Sequence, residues 1–394
     1  MRILHLSWEY PPVVYGGLGR HVHALAETQA ALGHDVTVIT QAGPAAAPNE
    51  VVNGVRIVRV APVAPAPPDW HDGFLDWCFG FNTSVSMVAV PLVREWRPEV
   101  IHVHDWLQAQ SSVVVREVAG VPLVLTVHAT ESGRTAGLLS GPFSKGIDAT
   151  EAWLVSEADR VIVCSEYMRM EVAGLFGRDP ADMCVIPNGI RAAEWATTVA
   201  RKRAARRRYG RPLIGYAGRL EPEKGVQTLI EAMPAIRRSF PEARAVIIGT
   251  GTAESELRHG VKRRRLSDAV TFAGYISDDD LRAVMAASDV AVVPSLYEPF
   301  GFVALEAMAL GTPLVAARTG GLAAIVADGE TGLLFPPGDR AGLADAVVAV
   351  LQHPRAARTR AAAGRSEVEE RYAWPVIATA ALDVYRDAAA EYAA

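Results

Sequence analysis

The chain has 394 residues, of which 50% are hydrophobic and 21% are charged, and its formal net charge is −5. These values describe a globular protein too long for one hydrophobic core, and they give no overall basic balance with which to bind nucleic acid. The three cysteines, Cys78, Cys164 and Cys184, are scattered without metal-ligand spacing. They suit a reducing environment, so we expect a cytoplasmic protein.

The N-terminus, M-R-I-L-H-L-S, is predicted to be a first β-strand rather than a signal peptide, because it has no long apolar core and no cleavage-like small residues. The most apolar stretch, 78–93, contains Asn82 and Pro91. It is too short and too polar to span a membrane and is predicted to be a buried helix. Peripheral contact with a membrane is left open, as is the oligomeric state.

Short β-branched runs alternate with helical patterns along the whole chain. In the first half, strands are predicted at 3–7, 36–40, 55–60, 100–104, 123–128 and 161–165. In the second half, they are predicted at 213–218, 245–249, 270–273, 290–295, 313–316 and 333–335. Near-continuous apolar strands between helices indicate parallel sheets covered on both faces. We therefore predict an α/β protein with two doubly wound, Rossmann-like domains that bind ligands at the carboxyl ends of their strands.

The boundary between the two predicted domains lies near Pro187, Asn188 and Gly189, which are turn-forming residues after a strand. The domains are then 1–190 and 191–373, followed by an Ala-rich helical segment, 374–394. Lysine and arginine are concentrated between residues 201 and 211. This basic run is predicted to be a solvated helical connector, with contact to an anionic lipid or another polyanion as the alternative.

Residues 298–306, E-P-F-G-F-V-A-L-E, are predicted to form a loop followed by a helix. Pro299 disfavours the helical region for Glu298, and Gly301 permits a tight turn, so the helix is expected to begin at Phe302. Free N–H groups and the positive end of the dipole at such a helix start form a phosphate site. A surface helix with an acid at each end of a loop is the alternative.

Residues 218–225, G-R-L-E-P-E-K-G, follow another predicted strand and add two cations, Arg219 and Lys224. Two cations beside an anion-binding helix can clamp a pyrophosphate, so no metal and no other cofactor is required. The Asp-x-Asp pair at 278 and 280 could suggest a metal site. Because it follows Ser277, it is predicted instead to be the start of a helix that Ser277 caps.

Three glycines, Gly16, Gly17 and Gly19, precede a helix predicted to begin near Arg20. Such glycines let backbone amides approach a ligand closely, although a plain loop would show the same pattern.

The segment H-V-H-D-W, 102–106, ends a predicted strand and places His102 and His104 on one face. Because no third ligand is spaced to join them, we predict structural histidines and no metal site. Asp105 and Trp106 come at the carboxyl end of the strand. There a carboxylate suits sugar hydroxyls and an indole suits a pyranose face.

The segment T-V-H-A-T-E, 126–131, places His128 at the end of another strand, with Glu131 following on the loop. A lone histidine at a strand end is more often structural than catalytic. Aromatic residues collect nearby in sequence, and we predict that most of them belong to the core, with an acceptor platform as the alternative. They are Trp70, Phe74, Trp77, Phe79 and Phe81.

In order and spacing, these motifs resemble the retaining glycosyltransferases of family 4, in the GT-B superfamily, over essentially the whole chain. The resemblance rests on Glu298 and Glu306 with seven residues between them, and on S-W-E-Y-P-P, G-G-L-G-R-H-V-H, H-D-W-L, H-A-T-E and Y-E-P-F-G. Within the family, the motifs are similar to those of actinobacterial α-1,4-glucan glucosyltransferases of the glycogen synthase type. One departure from the K-T-G-G-L pattern of such enzymes is that no lysine precedes the glycines here, and Tyr15 stands directly before Gly16.

The resemblance implies two domains facing across one cleft, with the acceptor on the first, the nucleotide sugar on the second, and the last helix crossing back to the first. Residues expected to take part in the chemistry are His128, Arg219, Lys224 and Glu298. Residues expected to bind the donor are Gly16, Gly17, Gly19, Tyr275, Ile276, Phe300, Gly301, Phe302 and Glu306. Residues expected to bind the acceptor are Asp105, Trp106 and Glu131.

The implied reaction transfers glucose from UDP- or ADP-glucose to the 4-hydroxyl of an α-1,4-glucan such as glycogen, with retention at the anomeric carbon. The alternatives are transfer of glucose, mannose or another sugar to a lipid or a small metabolite such as glucose 1-phosphate, and, more distantly, sugar-nucleotide epimerisation. A non-catalytic glucan-binding protein is a further alternative. The sequence offers no unambiguous nucleophile, so attack from the face that the phosphate leaves is favoured over double displacement.

Overall fold

The protein is described from a computed structural model, which covers residues 1–44, 46–64 and 73–393. The chain divides into two compact units. One unit is Met1–Gly189 together with Trp374–Ala394, and the other is Ile190–Ala373. Each unit is built on its own β-sheet.

In the first unit the strands are β1 Arg2–Leu6, β2 Asp35–Gln41, β3 Asn49–Val52, β4 Val55–Val60, β5 Val100–His104, β6 Leu123–Val127, β7 Arg160–Val163 and β8 Met183–Val185. They lie in the order β3-β4-β2-β1-β5-β6-β7-β8, and neighbours are parallel except for the antiparallel pair β3 and β4. The six strands predicted for this half are confirmed. The sequence did not predict β3 and β8, because strands of four and three residues are too short to show a pattern.

The helices that cover this sheet are α1 Gly17–Ala31, α2 Phe74–Trp96, α3 Ala109–Ala119, α4 Glu131–Arg134, α5 Gly141–Glu157 and α6 Glu166–Phe176. The predicted helix at 78–93 is therefore present within α2. Only one face of it is buried, because Cys78 and Val85 lie in the core while Met87 is 74% exposed. Among the described residues, no helix is long and apolar enough to cross a membrane.

The prediction that most of the clustered aromatic residues are core is confirmed. Phe74, Trp77 and Phe81 are buried in α2, whereas Phe79 faces outward. Trp70 lies outside the described residues.

In the second unit the strands are β9 Leu213–Ala217, β10 Arg244–Ile248, β11 Val270–Gly274, β12 Val290–Val293, β13 Leu314–Ala317 and β14 Leu333–Phe335. All six match predicted strands to within two residues. They form a parallel sheet in the order β11-β10-β9-β12-β13-β14. The order reverses between β9 and β12, as it does between β1 and β5 in the first unit, and such switch points are where doubly wound sheets bind ligands.

The helices of the second unit are α7 Val199–Tyr209, α8 Val226–Ser239, α9 Glu254–Arg263, α10 Asp278–Ala287, α11 Phe302–Ala309, α12 Leu322–Ile325, α13 Arg340–Gln352 and α14 Pro354–Arg371. The basic run lies in α7 as far as Arg208, and Arg211 follows the helix. At the start of α10, the Ser277 hydroxyl accepts a hydrogen bond from the Asp280 N–H at 3.2 Å. The interpretation of the Asp-x-Asp pair as a capped helix start is therefore confirmed.

The final helix, α15 Trp374–Tyr392, completes the core of the first unit. Its buried side chains Ile377, Leu382 and Tyr385 pack with residues of α1 and β2. At the start of α15 the Trp374 ring lies against Gly189, where a Cβ would come within 2.6 Å of the indole.

Candidate active site

Several residues that we predicted to bind the donor or to take part in the chemistry lie on loops at the carboxyl edge of the second sheet. Arg219 and Lys224 follow β9, Tyr275 and Ile276 follow β11, and residues 298–302 follow β12. Because parallel strands bring their carboxyl ends to one edge, residues far apart in sequence are neighbours here.

Lys224 and Glu298 form an ion pair at this edge. Nζ of Lys224 lies 2.9 Å from Oε2 of Glu298, and the Ser295 hydroxyl donates to the same oxygen at 3.1 Å. The side chains of Lys224 and Glu298 are only 18% and 15% exposed. The two predicted residues are thus brought together and held in one geometry.

Arg219 is held differently, since its side chain is more than half exposed and its guanidinium lies 3.2 Å from the carboxylate of Glu223. The Tyr216 hydroxyl donates to the Arg219 carbonyl at 2.8 Å. The backbone at Arg219 is therefore anchored, while the cationic end of the side chain reaches solvent.

Helix α11 begins at Phe302, as predicted. Gly301 precedes it with φ of 123°, and none of the described side chains caps the helix start. The first N–H groups of a helix have no intrahelical acceptor, so this end can receive an anion. Glu306 lies on the same helix, about one turn further on.

A glycine loop after β13 packs directly on the backbone of this site. The Gly321 N–H donates to the Glu298 carbonyl at 2.8 Å, and a Cβ on Gly320 would lie 2.0 Å from that carbonyl oxygen. Only glycine at position 320 allows this approach, and the contact fixes the backbone that carries Glu298.

Tyr275 and Ile276 follow the edge strand β11. The Tyr275 side chain is largely exposed, and Ile276 is half-buried beside residues of α7 and α10. An exposed aromatic side chain at this edge is available to stack on a planar ring.

In the first unit, the predicted residues lie at the carboxyl ends of three adjacent strands, β1, β5 and β6. Asp105 is buried with φ of 56°, and its Oδ1 accepts the His128 N–H at 2.7 Å. It therefore positions the backbone of His128. Trp106 is 7% exposed and packs edge-on against Phe74, which leaves little of the indole for a sugar face.

The glycine loop after β1 is organised by Glu9, a residue that was not predicted to belong to the site. Oε2 of Glu9 accepts the N–H groups of Tyr15 at 2.8 Å and Gly16 at 3.1 Å, and burial raises the pKa of the Glu9 carboxyl. A Cβ on Gly19 would lie 3.0 Å from the Glu9 side chain. Helix α1 starts at Gly17, three residues earlier than predicted.

Glu131 begins α4 with its own N–H bonded to the Glu151 carboxyl at 3.0 and 3.2 Å. Its carboxylate accepts the Ser144 hydroxyl at 2.7 Å. Glu151 is buried on α5, and burial raises the pKa of its carboxyl to about 8. Glu151 was not predicted as a site residue, because an acid within a helical pattern gives no sign of burial.

Histidines from several elements form a buried cluster next to His128, with His102 and His104 from β5 and His21 from α1. The Tyr385 hydroxyl lies 2.6 Å from Nδ1 of His102, and the Thr126 hydroxyl lies 2.7 Å from its Nε2. Both nitrogens of His102 are thus hydrogen-bonded, which agrees with the structural role predicted for it. Burial lowers the pKa of His102 and of His104, so both are neutral.

The expectation that no third ligand could join His102 and His104 is wrong. The parallel register places His5 of β1 beside His102, and ligand atoms of these three side chains lie within 4.8 Å of one another. A second group with this spacing contains His21, His104 and His128. Single-sequence spacing could not reveal either group, because its members come from different strands and helices.

A chain of hydrogen bonds runs from Gln29 to His128. The Gln29 carbonyl oxygen lies 2.7 Å from Nε2 of His5, Nδ1 of His5 lies 3.1 Å from Nε2 of His104, and Nδ1 of His104 lies 3.4 Å from Nε2 of His128. A carbonyl oxygen only accepts, so His5 carries its proton on Nε2. In neutral rings, Nδ1 of His5 then accepts a hydrogen bond from Nε2 of His104, and Nδ1 of His104 accepts one from Nε2 of His128. His128 is left with Nδ1 as an acceptor.

Comparison with known proteins identifies the family. Residues 15–194 match the model for Glycosyltransferase Family 4, and residues 200–367 match the model for Glycosyl transferases group 1. The chain is 42% identical to the glycogen synthase of Mycobacterium tuberculosis (strain ATCC 25618 / H37Rv), over 98% of this chain and 94% of that protein. It is 30% identical to an alpha-maltose-1-phosphate synthase of Mycolicibacterium smegmatis, over 99% and 100%.

Among solved structures, sucrose-phosphate synthase from Thermosynechococcus elongatus matches with a TM-score of 0.83 and 27% identity, over 99% of each chain. The resemblance and the α/β fold class predicted from the sequence are both confirmed. The chain belongs to the family 4 glycosyltransferases, with the GT-B fold, and is a glycosyltransferase of the glycogen synthase-like type.

Proposed function

We propose that this enzyme transfers glucose from UDP-glucose or ADP-glucose to the 4-hydroxyl of an α-1,4-glucan, with retention at the anomeric carbon. The observation that carries the proposal is the 42% identity to a glycogen synthase across nearly the whole of both chains. The cationic and amide groups at the carboxyl edge of the second sheet support a nucleoside diphosphate sugar as the donor.

The diphosphate is assigned to Arg219, Lys224 and the N–H groups at the start of α11. Negative charge grows on the β-phosphate as its bond to the anomeric carbon breaks, and donors already in place stabilise that charge. Lys224 is partnered by Glu298 at 2.9 Å, so a bound phosphate would share Lys224 with this carboxylate. Because these groups neutralise the diphosphate, we propose that the reaction requires no metal.

The rest of the donor is assigned to groups around this edge. Glu298 accepts hydrogen bonds from donor-sugar hydroxyls, Glu306 binds the ribose, and Tyr275 with Ile276 meets the base. In the first unit the glycine loop at 16–19 is assigned to the donor phosphates, which rests on the family resemblance. Tyr15, directly before this loop, stacks on Trp8 with ring centroids 4.9 Å apart.

In the proposed reaction, the acceptor oxygen attacks the anomeric carbon from the face that the phosphate leaves. The bond from the anomeric carbon to the β-phosphate oxygen breaks, the new glycosidic bond forms, and the acceptor proton passes to the departing phosphate. His128 is assigned to the donor sugar, where its Nδ1 can accept a hydroxyl proton in a hydrogen bond. Asp105, Trp106 and Glu131 are assigned to the acceptor, with Trp106 offering only its exposed rim.

A second candidate is transfer of a sugar to a small phosphorylated acceptor, glucose 1-phosphate. The similarity to an alpha-maltose-1-phosphate synthase over the full length of both chains favours it. The two candidates share the donor and the proposed donor residues, and they differ only in what occupies the acceptor side.

The test is nucleoside diphosphate release from UDP-glucose, ADP-glucose and GDP-mannose, each with glycogen, with a maltooligosaccharide, with glucose 1-phosphate, or with no acceptor. Glucan-dependent release and a product that an α-1,4-specific hydrolase digests are the expected results. Release only with glucose 1-phosphate would establish the second candidate. An isomerised sugar nucleotide without released diphosphate would show epimerisation and overturn both.

A further inference from the structure

A cavity of about 510 Å³ lies in the second unit, away from the proposed donor residues. It is bordered by α7, by α14 and by the residues that lead into β9, β12 and β13. Those residues stand at the amino edge of the parallel sheet, whereas the donor loops leave from its carboxyl edge. The cavity is therefore a separate place in the fold.

Positive charge dominates the wall of this cavity. Lys202 and Arg206 come from α7, Arg211 precedes β9, and Arg358 comes from α14. Among the described residues that line the cavity, Asp289 is the one carboxylate. The fold brings these cations from three segments to one cavity. In the sequence, only the basic run at 201–211 can be recognised as a cluster.

Both carboxylate oxygens of Asp289 already have hydrogen-bond partners. Its Oδ2 accepts from Nε of Arg211 at 3.2 Å and from the Leu213 N–H at 2.9 Å, and its Oδ1 pairs with the Arg211 guanidinium. Arg211 is thus neutralised locally. In the described part of the chain, neither Lys202, Arg206 nor Arg358 has a carboxylate partner, so the cavity keeps a surplus of three positive charges.

Two of these three cations, Lys202 and Arg206, lie in partly desolvated surroundings, whereas Arg358 is exposed. Lys202 is half-buried, and burial together with the nearby Arg206 lowers the pKa of its ammonium. Arg206 is also half-buried and uses Nε to donate to the Ala287 carbonyl at 3.3 Å. Like charges that are close together and partly removed from water repel one another. A bound anion lowers this electrostatic free energy.

The remaining wall is largely apolar, with Pro212, Val350 and Ala357 among its residues, and it also includes Ser288 and Thr312. We propose that this cavity binds the phosphate monoester of a small metabolite, with the phosphate on Lys202, Arg206 and Arg358 and the organic part against the apolar wall. A phosphate dianion matches the site better than a carboxylate, because it presents three acceptor oxygens to several donors and carries nearly two charges.

The experiment is calorimetric titration of the whole enzyme with ribose 5-phosphate, with saturating UDP present so that the proposed donor site is occupied. Ribose and inorganic phosphate are titrated separately as the two halves of the probe. We expect ribose 5-phosphate to bind, inorganic phosphate to bind more weakly, and ribose not to bind. The K202Q/R358Q double variant is expected to weaken ribose 5-phosphate binding about tenfold or more, since two charge-assisted contacts are lost.

The matched control is R203Q/R207Q, which removes two positive charges from the exposed side of the same helix outside the cavity. It is expected to bind as the unchanged enzyme does. Equal weakening in both double variants would show a general charge effect and overturn the proposal, as would no binding to the unchanged enzyme. Binding of vesicles that contain anionic lipid, without binding of ribose 5-phosphate, would assign the surface to a membrane instead and also overturn it.

Discussion

Glu298 and Lys224 are two proposed site residues whose side chains contact each other directly. Each was predicted from its own motif, and the structure adds that they bond to each other at 2.9 Å. Their proposed roles are therefore coupled, because removing one charge changes the electrostatics of the other.

Glu298→Gln keeps the shape of the side chain and removes its charge. If Glu298 binds the donor sugar as proposed, nucleoside diphosphate release should fall about 100-fold or more, which is what losing one well-placed polar group in a transition state costs. Initial rates measure this, and circular dichroism with the melting temperature checks the fold. The control is Glu330→Gln on an exposed loop. Full activity in Glu298→Gln would remove this carboxylate from the mechanism.

Gln29→Leu tests the hydrogen-bond chain behind His128. Without the acceptor at 2.7 Å, His5 no longer has to carry its proton on Nε2, and the preference for Nδ1 as the acceptor on His128 weakens. We expect kcat to fall by about tenfold or less, with a shift in the ¹⁵N resonances of the His128 ring.

The control for this variant is Tyr385→Phe, which removes the contacts of the hydroxyl with Gln29 and His102 but keeps the bond from Gln29 to His5. It should leave the His128 ring resonances in place. Equal spectra for Gln29→Leu and the unchanged enzyme would show that the chain does not set the tautomer.

The packing of the loops at the carboxyl edge of the second sheet requires glycine at positions where a Cβ would clash with a neighbouring loop. Gly225 has φ of 67°, and a Cβ there would lie 2.0 Å from the Pro294 carbonyl oxygen. This contact brings the loop after β9 against the segment after β12. It is therefore part of what places Lys224 beside Glu298.

Gly225→Ala should destabilise the protein by more than backbone strain alone, which costs about 1–2 kcal/mol. The matched control is Gly311→Ala, because Gly311 has φ of 65° and open space around its missing Cβ. Urea unfolding of both variants separates the steric clash from the strain. Equal losses of stability would show that the approach to Pro294 is easily relaxed.

Glycine and proline also account for the success of the strand and loop predictions. A run of β-branched residues that ends in glycine or proline is a local signal, and it located the strands at 213–218 and 290–295 to within two residues. The pattern in 298–306 likewise located the start of α11. Local signals of this kind did not locate β3 or β8, and they overestimated the burial of α2. The pairing of short strands and the burial of a helix face depend on neighbours outside the segment.

The dependence of stability on pH concerns the whole folded chain. The pKa values of five clustered histidines, His5, His21, His102, His104 and His128, are lowered by burial, that of His5 to about 4. The unfolded chain binds their protons first, so the stability from neutral histidines is complete above pH 6.5 and is lost as pH falls. Glu151 acts oppositely: its pKa is raised to about 8, so its contribution declines as pH rises from 4.5 to 8.

We therefore expect maximal stability near pH 7, where the proton uptake of the five unfolded histidines balances the proton that Glu151 releases. Below it, unfolding takes up as many as about four protons net, so the free energy of unfolding should fall by up to about 5 kcal/mol per pH unit as pH approaches 5. Denaturant unfolding at pH 5.5, 6.5 and 8 measures this. Glu151→Gln should weaken the decline between pH 7 and 8 and steepen the acid side, because unfolding of the variant no longer releases the Glu151 proton. A flat profile from pH 6.5 to 5 would contradict the prediction.

From its residues alone, the chain could be assigned two doubly wound domains, loops at their strand ends, and the motifs of family 4 glycosyltransferases. Those properties depend on local periodicity, turn-forming residues and spacing along the chain. Asp105, His128, Lys224 and Glu298 at the two carboxyl edges were named in this way, whereas Glu9 and Ser295 were not.

Long-range packing determined the rest. His5 stands beside His102 because of strand register, and Tyr385 joins the same network from the last helix, 356 residues beyond Gln29. The burial of Glu151 and the gathering of Lys202, Arg206 and Arg358 around one cavity arise in the same way. None of these follows from a local pattern, because the free energy of each group depends on neighbours that only the folded chain supplies.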